Sequence, residues 1–498
     1  MPNEQDAEKS GREVINTMRK EFTPALARAM HYALNYLNTV DENPVGATAS
    51  LSTLRMRLCK PFNDEPLPAE SVVSQLARDV EGGLNNSTNA RFHAWVIGGC
   101  LPSALAADWL TSTWDQNAGL YSVSPAAVIV EEAVGGWLID VFGLPASSSF
   151  ALVTGCQMAH TTCLAAARTW LLQQHGWDVE RQGMSGSPSV RIFCGQRHST
   201  IDRSLRLLGF GDESLHTLAV NEAGGLDATA LESALREAAG QPAIVLLQAG
   251  DINTGSFDDF EKLIPIARRY GAWVHVDGAF GMWAAASPRF RHLVRGIEQA
   301  HSWATDGHKW LNVPYDCGYA FVAEREAHRA AMSYHASYLT QQEDAREPLD
   351  WNPEFSRRAR GFASYAALRE LGRDGLRELI ERCCECAAGL VAALEELEGV
   401  EVLSRPIINQ GLVTFPDPSG TPSNTWTDQV IREIVKEGTS FFSGTTTADG
   451  RRAMRVSVCN WQTSHEDVLK TVAAIERVLN RLHQRTLCAP LVPFVICG

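Results

Sequence analysis

Lysine is nearly missing from this chain. Of its 44 Lys+Arg residues only seven are Lys, and between Lys60 and Lys436 only Lys262 and Lys309 occur. A guanidinium stays protonated in proteins, so amine chemistry is confined to very few positions. Long apolar runs are missing too: no stretch approaches the ~18 residues of a membrane span. The apolar tail from Cys488 to Gly498 is too short to cross a bilayer, and Cys497 is misplaced for prenylation, which needs Cys fourth from the end. Residues 1–20 are polar and charged, without the apolar core of a secretory signal, so a cytoplasmic location is expected. Basic charge is in deficit: 44 Lys+Arg against 58 Asp+Glu give a net charge of −14. That balance argues against nucleic acid and against an anionic membrane surface as partners.

The 12 cysteines, with no secretory signal, read as reduced thiols. Cys383, Cys384 and Cys386 cluster, but within a strongly helical segment, 377–397. Adjacent helical positions point ~100° apart and cannot all face one ion. They are expected as core residues, and no metal site is expected.

A chain of 498 residues with 45% hydrophobic and 20% charged residues is long enough for two or three packed units. Residues 1–90 read as a helical N-terminal arm, broken at Asn43-Pro44 and between Pro61 and Pro68. Residues 91–375 read as a large α/β domain. Its strand candidates are Phe150–Val153, Arg191–Cys194, Pro242–Gln248, Trp273–Val276, Ser302–Thr305 and Tyr319–Val322. Helices are expected at Met158–Gln173 and Asp259–Tyr270, the latter closed by Gly271. Such alternation predicts a mostly parallel sheet with ligands beyond the carboxyl ends of its strands. Residues 324–360 form a long polar stretch with Tyr334, Tyr338 and Trp351, of a length uncommon unless functional. Two helices are expected over 361–397, and residues 376–498 read as a smaller α+β domain. Its strand candidates are Val400–Leu403, Leu412–Phe415 and Met454–Val458, with helices at Trp426–Glu437 and His465–His483.

Four strand ends carry chemistry. Lys309 sits in Asp306-Gly307-His308-Lys309-Trp310, directly after an apolar strand. Thirty-two residues upstream, the strand Trp273-Val274-His275-Val276 delivers Asp277. An acid at one strand end and a lysine beyond the next are what pyridoxal 5'-phosphate needs: the amine takes the aldehyde, and the acid keeps the pyridine nitrogen protonated. Val153-Thr154-Gly155-Cys156-Gln157-Met158-Ala159-His160 reads as strand, turn and helix, whose free N–H groups suit a phosphate. His198, just past a strand, suits either stacking on a cofactor ring or a plain loop hydrogen bond. Asp251 and Asn253, also beyond a strand, suit either a ligand crevice or ordinary turn chemistry.

Taken together, these motifs resemble the group II pyridoxal-phosphate-dependent amino-acid decarboxylases, the family of aromatic-L-amino-acid decarboxylase and glutamate decarboxylase. The similarity runs from about Phe92 to Arg481 and is most specific in His275-Val276-Asp277-Gly278-Ala279-Phe280-Gly281 and His308-Lys309-Trp310. Phe290-Arg291-His292-Leu293 and Gly296-Ile297-Glu298 are similar to the aromatic branch. The resemblance implies fold type I, pyridoxal 5'-phosphate as cofactor, a small-molecule amino-acid substrate and a homodimer with active sites at the subunit interface. It implies Lys309 as the lysine that holds the cofactor and Asp277 as the partner of the pyridine nitrogen. His198 and Ala279 would face the two sides of the ring. Gly155, Cys156 and Gln157 would lie at the phosphate, with His308 close by. Phe92, Trp95 and Tyr338 are the substrate-contact candidates, and an aromatic substrate is favoured.

The departures are specific. Cys156-Gln157 stands where small hydroxyl residues are common, Asp251 replaces a hydroxyl near the cofactor, and Asp306 puts an acid where a neutral group is expected. The 324–360 loop is shorter than in the aromatic enzymes, and neither Tyr334 nor Tyr338 aligns with the tyrosine that protonates the product carbanion. This leaves open aldehyde formation, a lyase or aminotransferase reaction, or an acidic substrate. A catalytically silent interaction protein is the remote alternative. The basic run Ser356-Arg357-Arg358-Ala359-Arg360 suits a dimer interface, an active-site mouth or a solvated helix start. Phe441 to Thr446 and Arg455 are candidates to reach the active site from the small domain.

Overall fold

The computed structural model describes residues 22–334, 344–418 and 423–487. Seven strands build the larger sheet: β1 (Ser149–Val153), β2 (Arg191–Cys194), β3 (Leu215–Thr217), β4 (Ala243–Gln248), β5 (Trp273–Asp277), β6 (Ser302–Asp306) and β7 (Gly318–Val322). Their order is β1-β7-β6-β5-β4-β2-β3. The five strands from β6 to β3 run parallel, while β7 is antiparallel to both β6 and β1. The expected strands all form, and the sheet is mostly parallel α/β.

The central strands are apolar on both faces, as parallel strands covered by helices must be. All six residues of β4 are buried. Because side chains alternate across a strand, Val245 and Leu247 join one hydrophobic cluster, while Ile244 and Leu246 join another on the opposite face. The helix Cys156–Gln174 belongs to the second cluster through Ala159, Cys163, Leu164 and Ala167. It therefore lies across the sheet face that carries Trp273 and Ala304. β3 was not anticipated: three part-exposed residues at a sheet edge give almost no sequence signal.

The second sheet is antiparallel, ordered β10-β11-β9-β8, with β8 at Glu401–Ser404, β9 at Gln410–Thr414, β10 at Ser443–Thr446 and β11 at Arg452–Ser457. The helices Asn424–Glu437 and His465–Leu487 share its hydrophobic cluster. The two helices expected over 361–397 both form, within Gly361–Glu395, and meet at a kink where Gly372 leaves the helical conformation (φ 58°). A positive φ is cheap only for glycine, so the bend is written into the sequence. Cys383, Cys384 and Cys386 are buried in this helix.

Part of the expected 324–360 loop is helical. Arg325–Met332 forms a helix that buries Ala327 and His328. Tyr338 falls in 335–343, outside the described residues. The basic run makes contacts within the chain: Arg357 pairs with buried Glu131, Arg358 with Asp108 and Arg360 with Asp316. Among the described residues no helix is long and apolar enough to cross a membrane.

Candidate active site

The carboxyl ends of β1, β4, β5 and β6 open onto a cavity of about 260 Å³, slightly below the ~300–1,000 Å³ typical of small-molecule pockets. Strand pairing decides what meets there. Gln248 and Asp277, the last residues of β4 and β5, are register partners, and Asp277 is also paired with Ala304 of β6. β6 ends at Asp306, and Lys309 follows within one turn of chain. Gly155, two residues beyond β1, caps the helix Cys156–Gln174. Two close approaches hold the walls. A Cβ on Gly318 would lie 2.6 Å from the Gly155 backbone, and a Cβ on Gly98 would overlap the Lys309 carbonyl.

Asp306 ties three of these parts together. Its Oδ1 accepts the Cys156 backbone N–H at 2.6 Å and lies 3.4 Å from His308 Nε2, while its Oδ2 lies 3.1 Å from Lys309 Nζ. His308 Nδ1 accepts the Cys317 N–H at 3.2 Å, which leaves Nε2 to carry the proton toward Asp306. Lys309 belongs to the same cluster. Burial alone lowers its pKa, but Asp306 and the other acids of the cavity outweigh burial and raise it above 10.5. The amine is therefore an ammonium in the cofactor-free chain.

Asp277 is buried, and burial pushes its pKa up. His160, then His198 and Lys309, outweigh that and hold the carboxyl below its usual range. Its Oδ1 accepts the Ala279 N–H at 3.1 Å, and its Oδ2 lies 3.4 Å from His160 Nε2. Cys156 is a thiol: burial first, then Asp306 and Asp277, raise its pKa well above 9.0. His198 caps the helix Ser199–Leu207, with Nδ1 2.9 Å from Thr200 Oγ1. Desolvation lowers its pKa, opposed by Asp277. It lines the cavity and makes the local bond as well. The same is true of Asp251, which lines the cavity while its Oδ1 accepts the N–H groups of Asn253 and Thr254.

Ten of the residues singled out in the sequence line one cavity: Gly155, Cys156, Gln157, His198, Asp251, Asp277, Ala279, Asp306, His308 and Lys309. Phe92 and Trp95 do not join them. Phe92 stacks on Phe441 at 4.9 Å within a small separate cluster, and Trp95 is 44% exposed. The small domain does reach the neighbourhood: Thr445 Oγ1 donates to Asn253 Oδ1 at 2.9 Å, and Arg455, largely desolvated, interacts with Asp251. Asp306 stood out in the sequence only as an unexpected acid, not as a hub, and His160 as a contact of Asp277 carried no distinct sequence signal.

Cys156 Sγ, His160 Nε2 and an Asp277 oxygen lie within 4.8 Å of one another, close enough to share an ion. A hydrogen bond and an ion-pair contact account for the same spacing, with the imidazole 3.3 Å from the thiol and 3.4 Å from the carboxylate. The donor set as a whole fits pyridoxal 5'-phosphate. An amine and a carboxylate face one cavity, Ala279 supplies a small apolar wall, and the helix start leaves the N–H groups of Gln157 and Met158 without intrahelical acceptors.

Residues 53–416 match the family model described as the pyridoxal-dependent decarboxylase conserved domain. The chain is 25% identical over 460 residues to an aromatic-L-amino-acid decarboxylase of Bacillus atrophaeus, spanning 90% of this chain and 93% of that protein. It is 28% identical over 390 residues to an L-2,4-diaminobutyrate decarboxylase of Rhizobium meliloti, spanning 76% of each. The solved structure of Oryza sativa TDC with PLP and tryptamine superposes with a TM-score of 0.85 at 22% identity, covering 92% of this chain and 97% of that one. The architecture is that of fold type I, and the match takes in β1 to β9 with every lining residue of the cavity. The chain belongs to the pyridoxal-dependent decarboxylase family and is a pyridoxal-phosphate-dependent amino-acid decarboxylase.

Proposed function

We propose that this decarboxylase acts on an aromatic L-amino acid, releasing the amine and CO2, as a cytoplasmic homodimer with active sites at the subunit interface. One observation carries the assignment of roles: the Lys309 amine and the Asp277 carboxylate face a single cavity at the ends of adjacent strands. Pyridoxal 5'-phosphate, when bound, supplies a protonated ring that accepts the electron pair left on Cα as CO2 departs. Lys309, whose amine lies 3.1 Å from Asp306 Oδ2, would hold the cofactor aldehyde. Asp277, already ionised, holds the proton on the ring nitrogen. His198 and Ala279 confine the two ring faces. Gly155, Cys156 and Gln157 cradle the phosphate, with His308 beside them. Arg455 offers a cation to the substrate carboxylate from the small domain. Positioning selects the reaction, since the Cα–carboxylate bond must stand perpendicular to the ring to break.

The homodimer is supported by the N-terminal arm. Its three described helices, Phe22–Thr39, Leu51–Leu58 and Ala69–Asp79, bury no residue within the chain. The cytoplasmic location is supported by ten described cysteines, all free. The working division remains 1–90, 91–375 and 376–498, with the last boundary just past the Gly372 bend.

The test is a screen of the yellow holoenzyme against amino-acid pools, following CO2 and amine. Equal yields of amine and CO2 from an aromatic substrate support the proposal, and turnover of a non-aromatic substrate alone rejects its substrate class. A second reading is oxygen-consuming aldehyde formation, favoured because Tyr334 is 67% exposed and absent from the cavity wall. Aldehyde with peroxide would establish it. Lys309→Ala should lose turnover and visible absorbance while its circular dichroism stays unchanged.

A further inference from the structure

We propose that Trp273, Ser302, His275 and His160 form a buried hydrogen-bond relay, oriented one way, that holds Asp277 as a fixed anion facing the cofactor. The inference rests on the cofactor reading above and deepens it. It makes His160 and His275 positioning residues, acting through Asp277.

The relay follows from strand geometry. Trp273, His275 and Asp277 alternate along β5, so all three point to the same face of the sheet. Ser302 of β6 is the register partner of His275. Cys156 and His160 are four apart on the helix that covers this face, so they share one side of it. The contacts are continuous. Trp273 Nε1 lies 2.9 Å from Ser302 Oγ, Ser302 Oγ 2.9 Å from His275 Nδ1, and His275 Nε2 2.9 Å from His160 Nδ1. His160 Nε2 then lies 3.4 Å from Asp277 Oδ2. The four relay residues have no solvent-exposed surface.

The direction is set from both ends: the Asp277 carboxylate only accepts, so His160 Nε2, which faces it, carries a proton. An indole N–H donates and never accepts. Ser302 takes that bond on its oxygen and passes its own proton to His275 Nδ1. His275 is neutral, its pKa driven well below 6.5 by burial and then by His160. With Nδ1 accepting, its single proton is on Nε2 and points to His160 Nδ1. His160 must then carry its proton on Nε2, which faces Asp277. Each donor dipole points the same way, and the last one ends on the carboxylate. The Cys156 thiol and the Ala279 N–H supply further donors to Oδ1. Buried polar groups are costly unless paired, and this row, set in an otherwise apolar layer, pairs every member toward one acceptor.

His160→Leu and His160→Gln separate the relay from mere filling of space. Leucine keeps bulk without a donor. Glutamine offers an N–H to Asp277 and a carbonyl oxygen to His275. The measurements are the dissociation constant of pyridoxal 5'-phosphate from the apoenzyme, read by visible absorbance, and kcat and KM separately. A lost bond to a charged group predicts that His160→Leu binds cofactor about tenfold or more weakly and loses kcat by a similar factor at near-constant KM, with His160→Gln recovering most of both. His160→Leu within about threefold of the parent enzyme on both readouts, or His160→Gln no better than His160→Leu, overturns the relay. Should His160→Leu not fold, Ser302→Ala, which removes the link between indole and imidazole, decides by the same thresholds. Borohydride labelling of the parent enzyme separates the two levels. Label absent from Lys309 sinks the cofactor reading itself, whereas label on Lys309 with unaffected His160 variants sinks the relay alone.

Discussion

Lys309 Nζ stands 3.1 Å from Asp306 Oδ2, with the two side chains 17% and 4% exposed. A buried lysine is expected to lose its proton readily, but here the carboxylate reverses that tendency and keeps the amine charged. With Lys309 in its proposed role, Asp306 would set how fast a free cofactor aldehyde is captured. Asp306→Asn removes the charge at constant shape and lowers the amine pKa. Each unit of fall raises the reactive free-base fraction about tenfold at neutral pH. Rapid mixing of apoenzyme with pyridoxal 5'-phosphate should show faster growth of visible absorbance in the variant. A rate equal to or below that of the parent enzyme would remove Asp306 from control of the amine.

Arg357 and Glu131 make the tightest buried pair in the chain's described part, with side chains 0% and 1% exposed. The contact is two-pronged, at 2.9 and 3.1 Å, and Arg357 also donates to the carbonyls of Ala118 and Leu152. Glu131→Leu strands a guanidinium without its anion, which should cost about 3–5 kcal/mol. Replacing both partners, as Glu131→Leu with Arg357→Met, should cost clearly less than Glu131→Leu alone. Urea midpoints of the two variants decide it. Equal losses would mean that the charge itself contributes little.

What the sequence disclosed and what it hid divide along physical lines. Asp277 and Lys309 were legible because an apolar strand ending in a polar residue fixes where that residue points. The buried strands β4, β5 and β6 were legible for the same reason. His160 was visible as a letter but not as a partner of Asp277, because that contact depends on where a helix settles on the sheet. The pairing of Arg357 with Glu131 spans 226 positions and leaves no local trace. Phe92 shows the converse. An aromatic residue at a familiar place became a substrate candidate, yet a bridge to Phe441 draws it into a small cluster of its own.

The helix Phe22–Thr39 carries Phe22, Leu26, Met30 and Leu34 at four-residue spacing, exposed by 78%, 55%, 50% and 50%. Such spacing forms one continuous stripe on a helix, and a large exposed apolar stripe marks an interaction surface. A second copy of the chain is the proposed cover. Leu26→Asp with Leu34→Asp should shift the protein from dimer to monomer in light scattering, and activity should fall with the dimer fraction. A double variant that remains dimeric at micromolar concentration would take this helix out of the interface.

His328 connects pH to stability at the sheet edge. Its Nε2–H donates to the Trp351 carbonyl at 2.9 Å, and its Nδ1 lies 2.8 Å from the Ser149 hydroxyl. Burial first, then Arg346, lowers its pKa from 6.5 to about 3. The folded chain therefore refuses a proton that the unfolded chain accepts below pH 6.5. Stability is intact above that value and is lost as the pH falls toward 3. At pH 5 one such histidine costs about 2 kcal/mol relative to neutral pH. His93 and His301, each lowered to about 4 by burial, act in the same direction. Asp258, raised by burial to about 6, acts in the opposite one. The difference between variants isolates the His328 share. Urea midpoints at pH 7 and pH 5 should fall less for His328→Gln than for the parent enzyme, by the equivalent of about 2 kcal/mol. Parallel losses would mean that His328 takes up its proton without unfolding, and that the ordered contact with Trp351 gives way first.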